Sequence, residues 1–474
     1  MSNNKVLKAG LGYTLGNIII KGISFLTLPL FTRLLTTEDF GIYNLYGTYE
    51  TIVAILIGVG MYSSIKNAVY DFPNQKRNYI ATIVTITLGM SVLFFALIFI
   101  LGGVLEGITG LNRVILLLLV CHAFGDAMLQ IVNSKLATEY NCKSYLGYAG
   151  VNTLGNIILS LLFILVIFPL NHSLGRIAGA STTIMCIGLY ILINVYRDSG
   201  HPIFNLRMAK YGIKFGIPLI FHYLAQQIAS QFDRIMISKM MDNSAVGLYS
   251  FAYTIANIFP IIFYSTDSVW SVWLFEKLKN DDYDSIRKTS NYYIFAMLCV
   301  AVSMMIGANE IIHLMGSQSY WQSSEICIPL IFGLFFLFLY TLPVAIEYYY
   351  KQTKYIAGMT IVSAVVNVVG NYYLILLFGY NGAAYSTAIS YCVLFIGHWF
   401  IARHIIKKEG KVFAYKMTDI MVYVVVLALI SVVVFFLNSI PIIKYSIFAG
   451  MIIILIIVFR DKLISIVKSY KKSI

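Results

Sequence analysis

Charged residues are scarce in this chain, and acidic residues are scarcer than basic ones. Only 12% of its 474 residues are Asp, Glu, Lys or Arg, whereas 59% are hydrophobic. Soluble globular proteins carry roughly twice this charged fraction, so the composition excludes an ordinary water-soluble domain. The 34 basic residues against 21 acidic ones give a formal net charge of +13. The positions of the basic residues along the chain, described below, indicate why it is positive.

Features that many enzymes need are also missing. The six cysteines are isolated and have neither metal-binding nor redox spacing, so they predict no metal or redox site. There is no Gly-x-x-x-x-Gly-Lys-Ser/Thr phosphate loop, which excludes ATP hydrolysis by this chain. The gaps between apolar stretches are too short for a catalytic domain, and the Asp281-Asp282-x-Asp284 cluster is interpreted as a solvated loop. The chain is therefore predicted not to be an enzyme.

Long apolar stretches are abundant, and each is close to the roughly 20 residues that cross a ~30 Å hydrocarbon core. They predict an all-α polytopic membrane protein with about 14 transmembrane helices. The predicted spans are approximately 11–32, 41–63, 79–101, 114–134, 146–169, 177–195, 215–238, 246–272, 291–309, 326–347, 356–378, 383–402, 418–437 and 445–459.

The basic residues fall almost entirely in every second gap between these spans. Of the 34, 27 lie at the N-terminus and in alternate gaps after it, 5 lie in the other gaps, and Lys21 and Arg234 lie inside spans. Because basic loops stay in the cytoplasm, we predict a multi-pass protein of the cell membrane with both termini cytoplasmic. Orientation and attraction to anionic membrane lipids then explain the positive charge, and no nucleic-acid partner is required.

The chain repeats itself weakly at an offset of 206 residues. This offset pairs Gly41-Ile42-Tyr43 with Gly247-Leu248-Tyr249, each at the start of the second span of its half. Six spans per half predict two pseudo-symmetric lobes that bind substrate at their interface and move by rocking. The predicted divisions are residues 1–200 (helices 1–6), 201–409 (helices 7–12), and 410–474 (two extra helices and a basic cytoplasmic tail).

Polar residues form matched faces on the first helix of each half. Asn17, Lys21 and Ser24 share one face of the first span, and a longer stripe on the seventh span includes Gln227, Gln231 and Arg234. Two basic side chains in the membrane suit an anion, with Arg providing a fork for phosphate oxygens and Lys a point charge. The alternative is a buried ion pair between Arg234 and an acidic residue such as Glu50 or Asp267.

Two further groups of polar residues are candidates for other roles. Tyr253 and Asn257 lie on an aromatic and amide stripe of the eighth span, which suits sugar rings but also suits ordinary helix packing. His122 and Asp126 are spaced i, i+4 on the fourth span. Together with Glu50 and Asp267 they are candidates for coupling to H⁺ or Na⁺, or for interhelical hydrogen bonds.

Six segments of the chain match a known family: Gly12-Tyr13-Thr14-Leu15-Gly16-Asn17, Phe25-Leu26-x-Leu28-Pro29-Leu30-x-x-Arg33-Leu34-Leu35, Glu38-Asp39-Phe40-Gly41-Ile42-Tyr43-Asn44, Asp233-Arg234, Gly247-Leu248-Tyr249 and Gly379-Tyr380-Asn381-Gly382-Ala383-Ala384. Through these residues the sequence resembles the polysaccharide flippases, the Wzx-type transporters of O-antigen, capsule and exopolysaccharide units. Their superfamily also contains multidrug exporters and lipid II flippases. The resemblance implies translocation of an undecaprenyl-diphosphate-linked oligosaccharide without a cofactor, with a polysaccharide polymerase as a possible partner. A cation-coupled multidrug exporter or a lipid II flippase is the alternative.

Overall fold

A computed structural model describes residues 19–200 and 204–437, together with single positions at 12, 16, 443, 445, 446, 449 and 450. The described part is helical. Its helices are α1 (Leu28–Leu34), α2 (Thr37–Gly58), α3 (Ile65–Asp71), α4 (Lys76–Thr109), α5 (Arg113–Thr138), α6 (Cys142–Leu162), α7 (His172–Ser199), α8 (Leu206–Met240), α9 (Asn243–Ala256), α10 (Ile258–Lys279), α11 (Tyr283–Met315), α12 (Ser324–Tyr349), α13 (Thr353–Phe378), α14 (Tyr380–Lys408) and α15 (Met417–Leu437). Residues 19–26 are also helical.

Within the described ranges, ten helices are long and apolar enough to cross a membrane, or eleven if the bent pair Thr37–Gly58 and Met61–Asp71 is one span. This confirms a polytopic all-α protein. The count of about fourteen stays a prediction, because parts of the first and last predicted spans lie outside the described residues. α8 is not among the ten, and its Gln227, Gln231 and Arg234 explain why it is less apolar than its neighbours.

Two predicted spans are interrupted rather than straight. The span predicted at 41–63 bends by 51° after α2, where Val59 and Gly60 have φ values of 50° and 61° before a short 3₁₀ turn, Met61–Ser64. The span predicted at 246–272 is broken at Asn257, between α9 and α10. Hydropathy alone could not show either break, since the apolar composition continues across both.

Local sequence signals explain where several helices begin and end. Thr36 and Asp39 form a reciprocal capping box at the start of α2. The side chains of Asn112 and Asn171 cap the first turns of α5 and α7. Gly110 and Gly200 end α4 and α7 with positive φ, which glycine adopts without strain.

The chain divides into two compact units, residues 1–247 and 248–474. α8 belongs to the first unit, although the repeat assigns it to the second half of the chain. Its Met208 is buried in a core that also contains Tyr79, Met128 and Ile184, and its Ile235 packs on a second core beside α2 and α5. The predicted division into lobes remains a prediction.

Residues related by the 206 offset contact each other within the first unit. A Cβ on Gly41 would collide with the carbonyl of Asn243, and a Cβ on Gly247 would collide with that of Thr37. Positions 37 and 243 are related by the same offset as 41 and 247, so this contact between α2 and the start of α9 is itself symmetric. Thr37 and Ser244 also share a hydrogen bond of 2.5 Å.

The second unit is built around α12, whose Phe335, Phe338 and Leu339 are fully buried. Gly333 of α12 lies close to Ala388 of α14, where an added Cβ would be 2.8 Å from the Ala388 Cα. α13 also packs on α14. The core of this unit is therefore a set of closely approaching apolar helices.

The acidic cluster between α10 and α11 has a structural role. Asp282 caps α11 and pairs with Lys277 at 2.8 Å, while Lys411 donates to both carboxylate oxygens of Asp281 at 2.6 Å. Hydrogen bonds from Lys411 and Tyr283 hold the pKa of Asp281 below its usual range. These contacts agree with a solvated loop rather than a catalytic motif.

Candidate functional site

The polar stripe of α8 faces polar groups on α2 and the turn after it. Thr48 donates to the Gln231 side chain at 3.4 Å, and Ser63 shares a 2.7 Å hydrogen bond with Tyr223. The Tyr223 ring stacks on Tyr62 with a centroid distance of 5.6 Å. The stripe therefore makes specific contacts inside the first unit.

Glycines bring these backbones together. A Cβ on Gly216 of α8 would collide with the Val59 carbonyl, and a Cβ on Gly60 would be 2.9 Å from the Gly216 carbonyl oxygen. This close approach places Tyr223, two turns further along α8, beside the 3₁₀ turn. The contacts of Tyr223 thus depend on Gly60 and Gly216, which have no side chain and let the two backbones approach.

Two intramembrane carboxylates lie near each other in this unit. Glu50 of α2 is only 8% exposed and lies within range of the charge of Asp126 on α5. Gln130 donates to Asp126 at 2.9 Å, whereas Glu50 Oε1 has no hydrogen-bond partner in the described part of the protein. Two nearby carboxylates cannot both ionise at low cost, so the pair is suited to hold a proton or another cation.

His122 and Asp126 share a face of α5, as predicted, but each bonds to a different group. His122 Nδ1 lies 3.0 Å from the Tyr46 hydroxyl, which is also 2.7 Å from Ser181 on α7. This hydrogen-bonded group links α2, α5 and α7. Tyr62, which stacks on Tyr223 of α8, also lies within range of the Asp126 charge.

Arg234 is buried, with 7% of its surface exposed, and pairs with the neighbouring Asp233 rather than with Glu50 or Asp267. Its Nη1 lies 3.3 Å from Asp233 Oδ1 and 3.4 Å from the Ser230 carbonyl oxygen. Adjacent residues on a helix usually point in different directions, so this pairing departs from the usual i, i+3 or i, i+4 spacing of helix ion pairs. Asp233 neutralises the guanidinium in this arrangement.

The other candidate residues of the first helix differ in environment. Lys21 and Ser24 are both exposed, and Ser24 donates to the Ile20 carbonyl at 3.1 Å. No hydrogen bond within the described ranges joins Lys21 to Arg234 or to the carboxylates. Asn17 lies outside the described residues. Gln227 is partly buried, and its Nε2 has no hydrogen-bond partner among residues 19–200 and 204–437.

The remaining candidates lie in the second unit. Tyr253 is buried and its ring is 5.9 Å from that of Tyr249, while Asn257 occupies the break between α9 and α10. Asp267 is partly buried, and its Oδ1 has no hydrogen-bond partner in the described part of this unit. Its charge lies within range of three tyrosine hydroxyls: Tyr264, Tyr293 and Tyr340.

Sequence reasoning missed a buried pair in the second unit. Glu347 of α12 and His398 of α14 are both 0% exposed, and His398 Nδ1 lies 2.6 Å from Glu347 Oε1. Neither residue is part of a polar stripe, and Glu347 is the last residue of the span predicted at 326–347. An ionisable residue within a predicted span is itself a signal, and it would have marked both positions.

Arg176 was assigned to a loop by sequence and instead lies in α7. Its guanidinium bonds to Asn156 and Ser160 of α6 and lies 4.0 and 4.4 Å from the ring centroids of Phe31 and Tyr43. Rings on two sides and amide and hydroxyl acceptors stabilise the cation. Arg176 therefore joins α6 and α7 to α1 and α2.

Comparison with known proteins assigns the family. The profile of the family described as "Polysaccharide biosynthesis protein" matches residues 6–270, which is more than half of the chain. The chain belongs to this family. A second profile, MatE, matches residues 218–373. The family description places this membrane protein in polysaccharide biosynthesis.

Family relatives are similar over most of their length. The "Capsular polysaccharide biosynthesis protein CapF" of Staphylococcus aureus is 24% identical over 409 residues, which cover 82% of this chain and 97% of the relative. The "Lsg locus putative protein 1" of Haemophilus influenzae is 21% identical over 382 residues, covering 77% and 90%.

Solved structures show the fold. The lipid II flippase MurJ in an inward closed conformation has a TM-score of 0.68 and 16% identity, covering 95% of this chain and 99% of MurJ. An inward-facing multidrug resistance transporter of the MATE family has a TM-score of 0.66 and 14% identity, covering 82% and 95%. The family member described here therefore has the MATE and MurJ fold.

Proposed function

We propose that this protein is a flippase that moves a polyprenyl-diphosphate-linked oligosaccharide repeat unit across the cytoplasmic membrane by alternating access. The observation that carries the proposal is the family match over residues 6–270, combined with a fold shared with a lipid II flippase over 95% of the chain. The product would feed the assembly of a surface polysaccharide, with a polymerase as the partner that consumes it. The proposed topology has fourteen spans with both termini cytoplasmic. Residues 1–200 and 201–409 form the two lobes, and residues 410–474 form two extra helices and a basic tail.

Lys21 and Arg234 are proposed to bind the diphosphate. Lys21 is exposed, and Arg234 is held by Asp233, which a phosphate could replace as the partner of the guanidinium. The fork of Arg234 suits phosphate oxygens better than a Lys ammonium would. Further polar groups are proposed to contact the headgroup: Asn17, Ser24, Gln227, Gln231, Tyr253 and Asn257.

The carboxylate pair is proposed to couple transport to a cation. Glu50 lies within range of the charge of Asp126, His122 lies one turn before Asp126 on α5, and Asp267 provides a carboxylate in the second unit. A cation that binds Glu50 and Asp126 removes their repulsion and so favours the conformation in which they are close. The inside-negative membrane potential also drives the anionic headgroup outward, by about 2.3 kcal/mol per charge per 100 mV.

Complementation tests this function and its anion site together. The chain is expressed in a bacterial strain that lacks its own repeat-unit flippase, and surface polysaccharide is measured. Losing one charged contact to phosphate costs about 1.5–3 kcal/mol, so removing the guanidinium should lower export roughly ten- to a hundred-fold. Because Arg234→Ala alone would break the buried ion pair with Asp233, the test variant is Asp233→Asn/Arg234→Gln, and its amount in the membrane is compared with that of wild type.

Lys21→Gln should reduce export to a similar degree, and Arg234→Lys should retain part of it. Normal surface polysaccharide from a correctly inserted Asp233→Asn/Arg234→Gln protein would contradict the anion site. Resistance to cationic drugs on overexpression, abolished by Asp267→Asn, with no complementation, would instead identify a drug exporter.

A further inference from the structure

A cavity of about 480 Å³ lies between α11 and α15 in the second unit, and none of the transport residues proposed above lines it. Its lining residues are Lys288, Asn291, Tyr292, Phe295 and Tyr423. Four of the five come from the first turns of α11, and Tyr423 comes from the second turn of α15. The cavity thus lies where these two helices enter their apolar stretches.

The length of α11 places this cavity at the membrane boundary. The helix has 33 residues and is about 50 Å long, whereas the hydrocarbon core is about 30 Å thick. The apolar stretch of α11 begins near residue 291, so Lys288 lies in the headgroup region. α15 begins at Met417, and its apolar stretch begins at once.

Polarity in the cavity changes along the helix axis. Lys288 is exposed at its mouth, while Tyr292 and Phe295 lie one and two turns deeper on the same face of α11. Tyr423 faces them from α15, with its ring 6.4 Å from Phe295. The cavity therefore has a cation at its entrance and aromatic rings in its deeper part. This arrangement suits a molecule with a phosphate at one end and an acyl chain at the other.

The charge balance of the cavity favours an anion. The nearby Asp419 Oδ2 accepts hydrogen bonds from Arg287 Nη2 at 3.2 Å, Arg287 Nε at 3.4 Å and Asn291 Nδ2 at 3.4 Å. No carboxylate in the described part of the chain lies within 4 Å of the Lys288 ammonium. The Lys288 ammonium is therefore available to a ligand. Arg287, Asn291 and Asp419 are hydrogen-bonded to one another beside it.

We infer that this cavity binds the headgroup of an anionic phospholipid, with Lys288 on the phosphate and the acyl chains against Tyr292, Phe295 and Tyr423. Basic pockets between transmembrane helices are known to bind lipid phosphates in this way. The bound lipid would join α15 to α11 beside the Arg287–Asp419 ion pair. This inference does not depend on the identity of the cargo.

Lipid titration of the full-length protein tests the inference. The delipidated protein in detergent is titrated with phosphatidylglycerol or with zwitterionic phosphatidylcholine, and bound lipid is counted by native mass spectrometry. Lys288→Gln should weaken the tightest phosphatidylglycerol site about five-fold, the equivalent of about 1 kcal/mol for one lysine near a membrane surface. Lys288→Arg should retain binding, and phosphatidylcholine should not distinguish the variants.

The matched control is Lys408→Gln, which removes an exposed lysine from the last turn of α14 and changes the net charge equally. Equal phosphatidylglycerol affinity in Lys288→Gln and wild type, or an equal loss in Lys408→Gln, would overturn the inference. Undecaprenyl diphosphate is titrated in parallel. If it alone binds in a Lys288-dependent manner, the cavity serves the cargo and the phospholipid assignment is wrong.

Discussion

Several buried or partly buried ionisable side chains in this protein have local partners. Arg234 pairs with Asp233, Glu347 pairs with His398, and Arg176 is held by Asn156, Ser160 and two aromatic rings. A buried ion pair is costly to assemble and still more costly to break, because the remaining partner is left in an apolar environment. Such pairs thus constrain the helices that carry them.

The Glu347–His398 pair gives a direct test of this principle. His398→Leu leaves a fully buried carboxylate without its partner and should lower the unfolding free energy by about 3–5 kcal/mol. The double variant Glu347→Leu/His398→Leu should recover most of that loss, because neither polar group remains. Thermal unfolding of the purified protein in detergent measures both.

Glu325→Gln, in the exposed first turn of the same helix, is the control and should change stability by about 1 kcal/mol or less. A double variant that is less stable than His398→Leu would contradict this explanation. It would show that the loss does not come from leaving the Glu347 carboxylate without its partner.

Single side chains were predictable from sequence only when they belonged to a periodic stripe. The stripe of α8 and the i, i+4 spacing of His122 and Asp126 placed polar groups on helix faces, and the structure brings Glu50 near Asp126. Partners across helices were not predictable in the same way. Tyr46 as the partner of His122, and His398 as the partner of Glu347, depend on helix rotation and depth, which a single sequence does not specify.

Helix contacts in this protein depend on glycine positions. Gly41 and Gly247 lie where α2 crosses the start of α9, and each Cβ position is occupied by a backbone carbonyl. Backbone cannot move aside as a side chain can. Gly41→Ala should therefore lower the unfolding free energy by about 1–3 kcal/mol, as is typical of overpacking, and thermal unfolding in detergent measures the change.

Gly47, on the same helix, is the matched control. A Cβ there has no heavy atom within 4 Å, so Gly47→Ala should be neutral or slightly stabilising. Equal effects of the two substitutions would show that the loss reflects α2 itself rather than its contact with α9.

Helix ends and breaks were predictable to different degrees. Asn112 and Asn171 are strong N-cap signals in the sequence, and each caps a helix in the structure. The bend after α2 follows from a positive φ at Val59, a β-branched residue that rarely adopts this conformation. Sequence reasoning could not place a break there, and the neighbouring Gly60 alone was a weak signal.

The distribution of basic residues over the whole chain predicts its orientation. With 27 of 34 basic residues in alternate gaps, both termini and the segments near Lys279 and Lys408 should be cytoplasmic. In a variant without native cysteines, single cysteines near Asn171 or Gly316 should react with a membrane-impermeant thiol reagent in intact cells. Reaction at position 408 in intact cells would reverse the orientation.

Fold class was the most predictable property of the molecule, because it depends on composition and on many residues at once. Hydropathy indicated a polytopic helical protein. The 206-residue repeat paired Gly41 with Gly247 as equivalent positions but did not predict that they lie in contact. The grouping of α8 with the first unit was not predictable, since it depends on the packing of Met208 and Ile235 rather than on position in the repeat.

Flipping by the purified protein tests the central proposal most directly. Proteoliposomes containing the full chain and a fluorescent polyprenyl-diphosphate-linked oligosaccharide are treated with an impermeant quencher, which reaches only headgroups in the outer leaflet. The quenched fraction should rise from about one half to nearly all in wild-type vesicles, and flipping should slow roughly ten- to a hundred-fold in Asp233→Asn/Arg234→Gln vesicles. Quenching that stays near one half with wild-type protein, at any pH, sodium gradient or membrane potential, would contradict the proposed function.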